Sequence, residues 1–224
     1  MRPIAFIRSD FKEKFGIPRQ SLRAPSLTAK IVFEKEFRVK EALRGLENFS
    51  HIWLIFDFSK AHTNEFSPTV RPPRLGGNKR IGVFASRSPF RPNSIGLSCV
   101  KLLEIKETET EGSVLIVSGA DLLDGTPIYD IKPYIPYADC HTDAKGSYAE
   151  ENCDYKLDVD FPKNLLSQIP EEKREALIEC LSDDPRPSYQ DDSERIYSML
   201  FANFDVKFKV QGNILTVIEI KNAR

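Results

Sequence analysis

Short apolar runs rich in Ile, Val and Phe recur along the first half of the chain. They fall at Ile4 to Arg8, Ile31 to Phe37, His51 to Phe58, Ile81 to Ser86, Ile95 to Ile105 and Val114 to Gly119. Each has strand length, is rich in β-branched and aromatic residues, and is bounded by turn-forming residues, so each reads as a strand. Only Val39 to Leu46 carries a helical spacing in this half. The pattern predicts a mainly β fold whose larger unit is an antiparallel sheet curled into a barrel, and it does not support a doubly wound α/β sheet.

The pattern changes after the polar stretch from Cys140 to Asn152, which contains Gly146 and Ser147. Beyond it, Tyr155 to Phe161 alternates like a strand, and Glu171 to Leu181 has helical spacing through Ala176, Leu177, Cys180 and Leu181. Phe204 to Val210 and Ile214 to Ile220 flank Gly212-Asn213, which reads as a β-hairpin. The expected division is a barrel domain at 1–141 and a small α+β domain at 142–224.

Charge sharpens that division. The net charge is only -1 over 224 residues, yet residues 1–140 carry 21 Lys and Arg against 16 Asp and Glu, and residues 141–224 carry 11 against 17. From Phe66 to Val100 stand Arg71, Arg74, Lys79, Arg80, Arg87 and Arg91 with no carboxylate. Such a block attracts phosphates even on a neutral protein, although a merely solvated face has the same composition. Apolar residues at 41% and charged residues at 29% are those of a soluble globular chain. Without a long apolar run or a leader-like N-terminus, a cytoplasmic protein with no membrane association is expected. The cysteines at 99, 140, 153 and 180 are widely spaced and read as reduced thiols, not as a zinc site or disulfide frame.

The loops carry the candidate chemistry. Ser67 to Asn78 holds three prolines and Gly76-Gly77, and Ser88 to Gly96 holds Pro89 and Pro92 around Arg91. Prolines stiffen both, which aims Arg87 and Arg91. Asp124-Gly125-Thr126-Pro127 is a turn fit either to hold hydroxyls or an amine or simply to close a hairpin. His51 opens an apolar strand and reads as structural, whereas His62 follows a strand in a polar stretch where side chains reach ligands. There is no G-x-G-x-x-G, G-K-[ST], H-E-x-x-H or G-x-S-x-G pattern, and three scattered histidines predict neither a metal centre nor a triad.

Several segments taken together are recognisable: Lys12 to Gln20 (KEKFGIPRQ), Arg44 to Trp53 (RGLENFSHIW), Arg71 to Gly77 (RPPRLGG), Arg87 to Ser98 (RSPFRPNSIGLS), Asp121 to Pro127 (DLLDGTP) and Asp130 to Tyr134 (DIKPY). In this order they closely resemble the TsaA-like, or TrmO, family. Its members methylate N6 of threonylcarbamoyladenosine at tRNA position 37 with S-adenosylmethionine, on a β-barrel unrelated to Rossmann methyltransferases. The resemblance covers residues 4 to about 140, and Asp184 to Tyr189 (DPRPSY) matches the longer bacterial members. Ser94 departs from the pattern, where the family usually has proline.

The resemblance implies cofactor contacts from Pro18, Arg19 and Gln20, from the segment around His62, from Arg87 and Leu97, and from Asp124, Gly125, Thr126 and Pro127. It also implies a homodimer with the cofactor near the subunit interface. By charge and loop position, Arg71, Arg74 and Arg91 are candidates for the substrate carboxylate, since an arginine fork matches that group. Arg186 and Tyr189 are candidates to cap the RNA site, and the acidic C-terminal unit equally fits a supporting role. No residue identifies itself as the base for the acceptor nitrogen. Two other readings stay open: a methyltransferase of the same fold with another substrate, and a non-catalytic RNA-binding barrel.

Overall fold

The computed structural model describes residues 1–63, 65–72, 79–150, 153–187 and 192–223. The strands of the first half are β1 (Ala5–Arg8), β2 (Thr28–Phe33), β3 (His51–Asp57), β4 (Thr69–Val70), β5 (Ile81–Gly82), β6 (Ile95–Thr108), β7 (Gly112–Ser118) and β8 (Pro127–Pro133). Six of them pair antiparallel in the order β1-β2-β7-β6-β3-β8, and β8 returns to β1 through Ala5 opposite Ile128 and Phe6 opposite Pro127. Closure leaves no sheet edge open to a stray strand. β4 and β5 form a separate two-stranded ribbon.

The alternation read in the sequence sorts side chains between two faces. Ile52, Leu54 and Phe56 of β3, Val100 and Leu102 of β6, and Leu115 and Val117 of β7 all enter one buried cluster with Ile7, Ile31 and Ile128. β6 alternates cleanly over Ile95–Val100, so Gly96 and Ser98 face inward while Ile95 and Leu97 stay exposed. Inward Gly96 is forced by space, because a Cβ there would lie 2.2 Å from the Phe56 ring. The β3–β8 register shifts between Ile55 and Phe56, which leaves Tyr129 as the extra residue of β8 at the end of β3.

Parts of that reading need correction. Val39 to Leu46 is not an α-helix but single 3-10 turns at Lys40–Leu43 and Leu46–Asn48, separated by Gly45 at φ 86. A left-handed residue interrupts the hydrogen-bond ladder before a second turn forms. Ile81 to Ser86 is strand only over Ile81–Gly82, and Val83–Ala85 coils into a turn. β8 was not foreseen as a strand, although it joins β1 to β3.

In the second half, β9 (Asp158–Asp160), β10 (Tyr197–Phe201), β11 (Phe204–Gln211) and β12 (Ile214–Asn222) form a sheet in the order β10-β11-β12-β9, the last pair parallel. Gly212, at φ 58, takes the first central position of the foreseen hairpin turn, as a primed turn requires. Short helices α1 (Pro136–Asp139) and α2 (Lys163–Leu166) precede α3 (Glu171–Ser182), whose Ala176, Leu177, Cys180 and Leu181 cover the sheet. This second core reaches back in sequence: Phe11, Ala24 and Leu27 are buried in it, with Phe15 and Ile17 packed against it. The loop from β1 to β2 is therefore held by the C-terminal unit. No helix among the described residues is long and apolar enough to cross a membrane.

Candidate functional site

The loop that the second core holds, the end of β3, the segment after β5 and the turn before β8 converge on a cavity of about 210 Å³. Its wall is mostly apolar, with Ile17, Phe56, Phe58 and Leu122, and two carboxylates, Asp57 and Asp121, stand in it. Lys14, Ser59 to Ala61, Pro89, Leu123 and Thr126 complete the lining.

Each carboxylate is held. Asp57, buried at the end of β3, stands close to the Tyr129 hydroxyl and lies 2.7 Å from His62 Nε2 through Oδ1. Burial, followed by the Asp57 charge, pushes the Tyr129 hydroxyl above its ordinary pKa. Asp121 Oδ1 accepts a 2.6 Å bond from Ser98 Oγ, which reaches it from the inner face of β6. Burial raises the Asp121 carboxyl pKa against the opposing pull of that hydroxyl and of the Arg87 guanidinium. At the mouth, Arg87 Nη1 donates to Gln20 Oε1, joining the loop after β5 to the loop after β1. A small apolar cavity with two anchored carboxylates and a cationic rim suits a ligand with a flat apolar part, hydroxyls and a positive centre.

Of the residues expected at the cofactor, Thr126 lines this cavity, and all the others but one adjoin lining residues in the chain. Pro18, Arg19 and Gln20 continue from Ile17; His62 continues from Ala61; Arg87 is two residues before Pro89; and Asp124, Gly125, Thr126 and Pro127 follow Leu123. Several already have partners. Arg19 donates to the carbonyls of Asp184 and Arg186 at 3.1 and 2.6 Å. The Asp124 carboxylate accepts from Ser9 N at 3.0 Å and Lys12 Nζ at 2.6 Å, and thus pins the loop after β1. Thr126 Oγ1 donates to Leu123 O within its turn. Leu97 is the exception: 55% exposed on the outer face of β6, it turns away from the cavity that Phe56 lines.

The expected RNA contacts divide. Arg71 is exposed beyond β4. Arg91 instead braces its own loop, donating to Val83 O and Ser86 O at 3.1 and 2.7 Å. Arg186 is buried and clamps Asp184 with bonds of 2.9 and 3.0 Å, so its guanidinium is committed inside the C-terminal unit. That removes the basis for reading it as a cap on the RNA site. Arg74 and Tyr189 lie outside the described residues.

Two site residues were missed. Asp57 and Asp121 each end an apolar strand or follow one closely, and a carboxylate at that place costs burial energy unless something uses it. That was the available signal, though it does not name the partners Tyr129, His62 and Ser98, which come from other strands.

With this geometry in view, the comparisons are decisive. A model of the tRNA-methyltransferase O N-terminal domain matches residues 6–140, and one of the TrmO C-terminal domain matches residues 154–223. The chain belongs to the tRNA-methyltransferase O family. It is 41% identical over 215 residues to the Escherichia coli K12 tRNA (adenine(37)-N6)-methyltransferase, covering 92% of this chain and 91% of that protein. It is 44% identical over 172 residues to the tRNA (adenine(37)-N6)-methyltransferase of Eikenella corrodens, covering 76% and 96%. A crystal structure of TrmO from Pseudomonas aeruginosa superimposes with a TM-score of 0.80 at 35% identity, covering 99% of this chain and 96% of that one. This TrmO-family chain is an S-adenosylmethionine-dependent methyltransferase.

Proposed function

We propose that the chain transfers a methyl group from S-adenosylmethionine to N6 of adenosine 37 in tRNA, with the threonylcarbamoyl-modified base as acceptor. The observation that carries this reading is the cavity: it gathers Lys14 and Ile17, the segment 56–61, Pro89, and residues 121–123 with Thr126 around two anchored carboxylates. When bound, the cofactor supplies an electrophilic methyl with its own leaving group, so the protein needs alignment and dryness more than a nucleophile.

The chain's residues divide that task. Ile17, Phe56, Phe58 and Leu122 exclude water. Asp57 and Asp121 favour a positively charged ligand, and Asp57 fixes the His62 ring. Arg87 and Gln20 close the mouth. Arg71 and Arg74 remain the candidates for the threonyl carboxylate, while Arg91 stiffens its own loop. Exposed lysines and arginines of the 66–100 segment meet loop phosphates and add salt-sensitive affinity.

The closed six-stranded sheet serves as the barrel domain, at 1–141, and the α+β unit at 142–224 as its support. The exposed outer positions Ile95 and Leu97 of β6 support a homodimer in which Leu97 faces the partner's cofactor. The enzyme works in the cytoplasm, with its tRNA substrate.

The test incubates purified protein with S-adenosylmethionine and tRNA from cells lacking it, followed by mass spectrometry of the nucleosides. A gain of one methylene mass confined to threonylcarbamoyladenosine is expected. A gain on unmodified adenosine would overturn the acceptor, and no gain with cofactor bound would overturn tRNA as substrate.

A further inference from the structure

Three aromatic side chains stand in solvent around the segment that meets the cavity wall at Pro89 and have no part in the core: Phe66, Phe84 and Phe90, at 58%, 73% and 50% exposure. Phe84 sits in the turn Val83–Ala85, whose neighbour Val83 is buried and donates its N–H to Pro68 O at 2.9 Å. That anchor and the pairing of β4 with β5 bring Phe66 against Phe84, with centroids 6.5 Å apart and planes 27° from parallel. Arg91 holds its guanidinium 5.7 Å from the Phe84 centroid while hydrogen-bonding the carbonyls of Val83 and Ser86. The turn is thus rigid and its ring is presented outward at an entropic cost already met by folding.

Exposed phenylalanines are costly in water, and a cluster of them rimmed by cations marks an interaction surface. Between Phe66 and Val100 the sequence has six arginines or lysines and no carboxylate, which selects a polyanion as occupant. A polyanion with flat apolar faces is an unpaired nucleic-acid strand, and aromatic or guanidinium faces are how proteins hold unstacked RNA bases. The same loop runs on through Arg87 to Pro89 in the cavity wall, so a base on the Phe84 ring belongs to a nucleotide near the one that approaches the methyl donor held in the cavity.

We propose that Phe66 and Phe84, stiffened by Arg91, form a stacking platform for an unpaired base of the RNA loop next to the methylated nucleotide. The proposal rests on tRNA being the substrate. It gives Arg91 the role of a positioning residue and assigns to phenylalanines the recognition that charge alone cannot supply.

An anticodon stem-loop carrying 2-aminopurine at each loop position in turn tests it, with binding read by filter retention and stacking by quenching of the probe. Phe84→Ala is expected to weaken binding about tenfold, the scale of one lost base–aromatic stack, and to abolish quenching at one loop position. Its cofactor affinity and salt slope should match the wild type, and Phe84→Trp should restore both signals. Phe66→Ala should give a smaller loss of the same kind. Arg80→Ala, by contrast, should reduce the salt slope by about one without affecting quenching. Equal binding and quenching by wild type and Phe84→Ala would overturn the platform while leaving the substrate intact. A shift of oligomeric state in Phe84→Ala on light scattering would overturn it in favour of contact between copies. No stem-loop binding by the wild type would instead overturn tRNA as substrate, and the platform with it.

Discussion

At the scale of single residues, the site is a set of charges made tolerable by precise neighbours. Asp57 keeps its place because His62 bonds to it and the Tyr129 hydroxyl stands close by. Asp57→Asn retains shape but turns an acceptor into a partial donor, so the His62 ring loses its fixed orientation. Losing a hydrogen bond to a charged group is worth about 1.5 kcal/mol, and cofactor affinity measured by calorimetry should fall about tenfold. An unchanged affinity would show that His62 does not touch the cofactor. Asp121 offers a pH test. Its pKa is raised in the folded protein, chiefly by burial, so its contribution to stability is fully present below the ordinary carboxylate pKa and is lost as pH rises through the raised value. Asp121→Asn cannot ionise; its melting temperature should therefore gain on that of the wild type as pH rises from about 4 to 7. Wild-type cofactor affinity should rise over the same range as the carboxyl ionises and supplies a counter-charge to the cation, whereas that of Asp121→Asn should not. A constant difference in melting temperature would contradict the assignment.

At the scale of elements, strands β3, β6 and β8 deliver the site by their register. Asp57 opposite Ile95 ends the β3–β6 pairing, and the shift at Ile55/Phe56 leaves Tyr129 of β8 unpaired at the end of β3 that lines the cavity. The close pairing depends on Gly96, since a methyl group there would meet the Phe56 ring at 2.2 Å. Gly96→Ala must drive that ring into the cavity or part the strands. Overpacking of this kind costs about 1–3 kcal/mol, and urea unfolding should register it together with a fall in cofactor affinity. Stability lost with affinity intact would mean that the strands, not the ring, had moved. The short 3-10 turns that replace the expected helix at Val39 to Leu46 belong here too. Its apolar spacing was legible, but Gly45 in the left-handed region was decisive, and a single turn without tertiary support does not propagate.

At the scale of the whole molecule, the C-terminal unit acts on the site through the loop between β1 and β2. Phe11, Ala24 and Leu27 are buried in its core, and Arg23 ties the loop to it at three points: Asp183 Oδ1 at 2.6 Å, Tyr155 O at 3.0 Å and Cys153 O. Asp183 is almost fully buried. Arg23→Ala leaves that carboxylate short of its counter-charge at a cost of about 3 kcal/mol, and frees the segment carrying Pro18, Arg19 and Gln20. Both melting temperature and cofactor affinity should fall, and methylation should recover partly at saturating cofactor. Loss of stability with full cofactor affinity would confine the C-terminal unit to a role remote from the cavity.

The amino-acid order alone determined the strand-rich class, the change of character near residue 141, the hairpin at Gly212-Asn213, the basic segment and the motifs of the TrmO family. Those are properties of neighbours in sequence: alternation, turn chemistry and charge density act over a few residues. β8 escaped because Pro127 to Pro133 lacks clean alternation, being bonded on both sides by strands far away in the chain. The pairing of Asp57 with Tyr129, of Asp121 with Ser98 and of Arg87 with Gln20 was likewise decided only by tertiary structure. So was the withdrawal of Arg186 from the surface. Each joins groups separated by tens of residues, and only the closure of the sheet and the packing of the second core bring such groups within hydrogen-bonding reach.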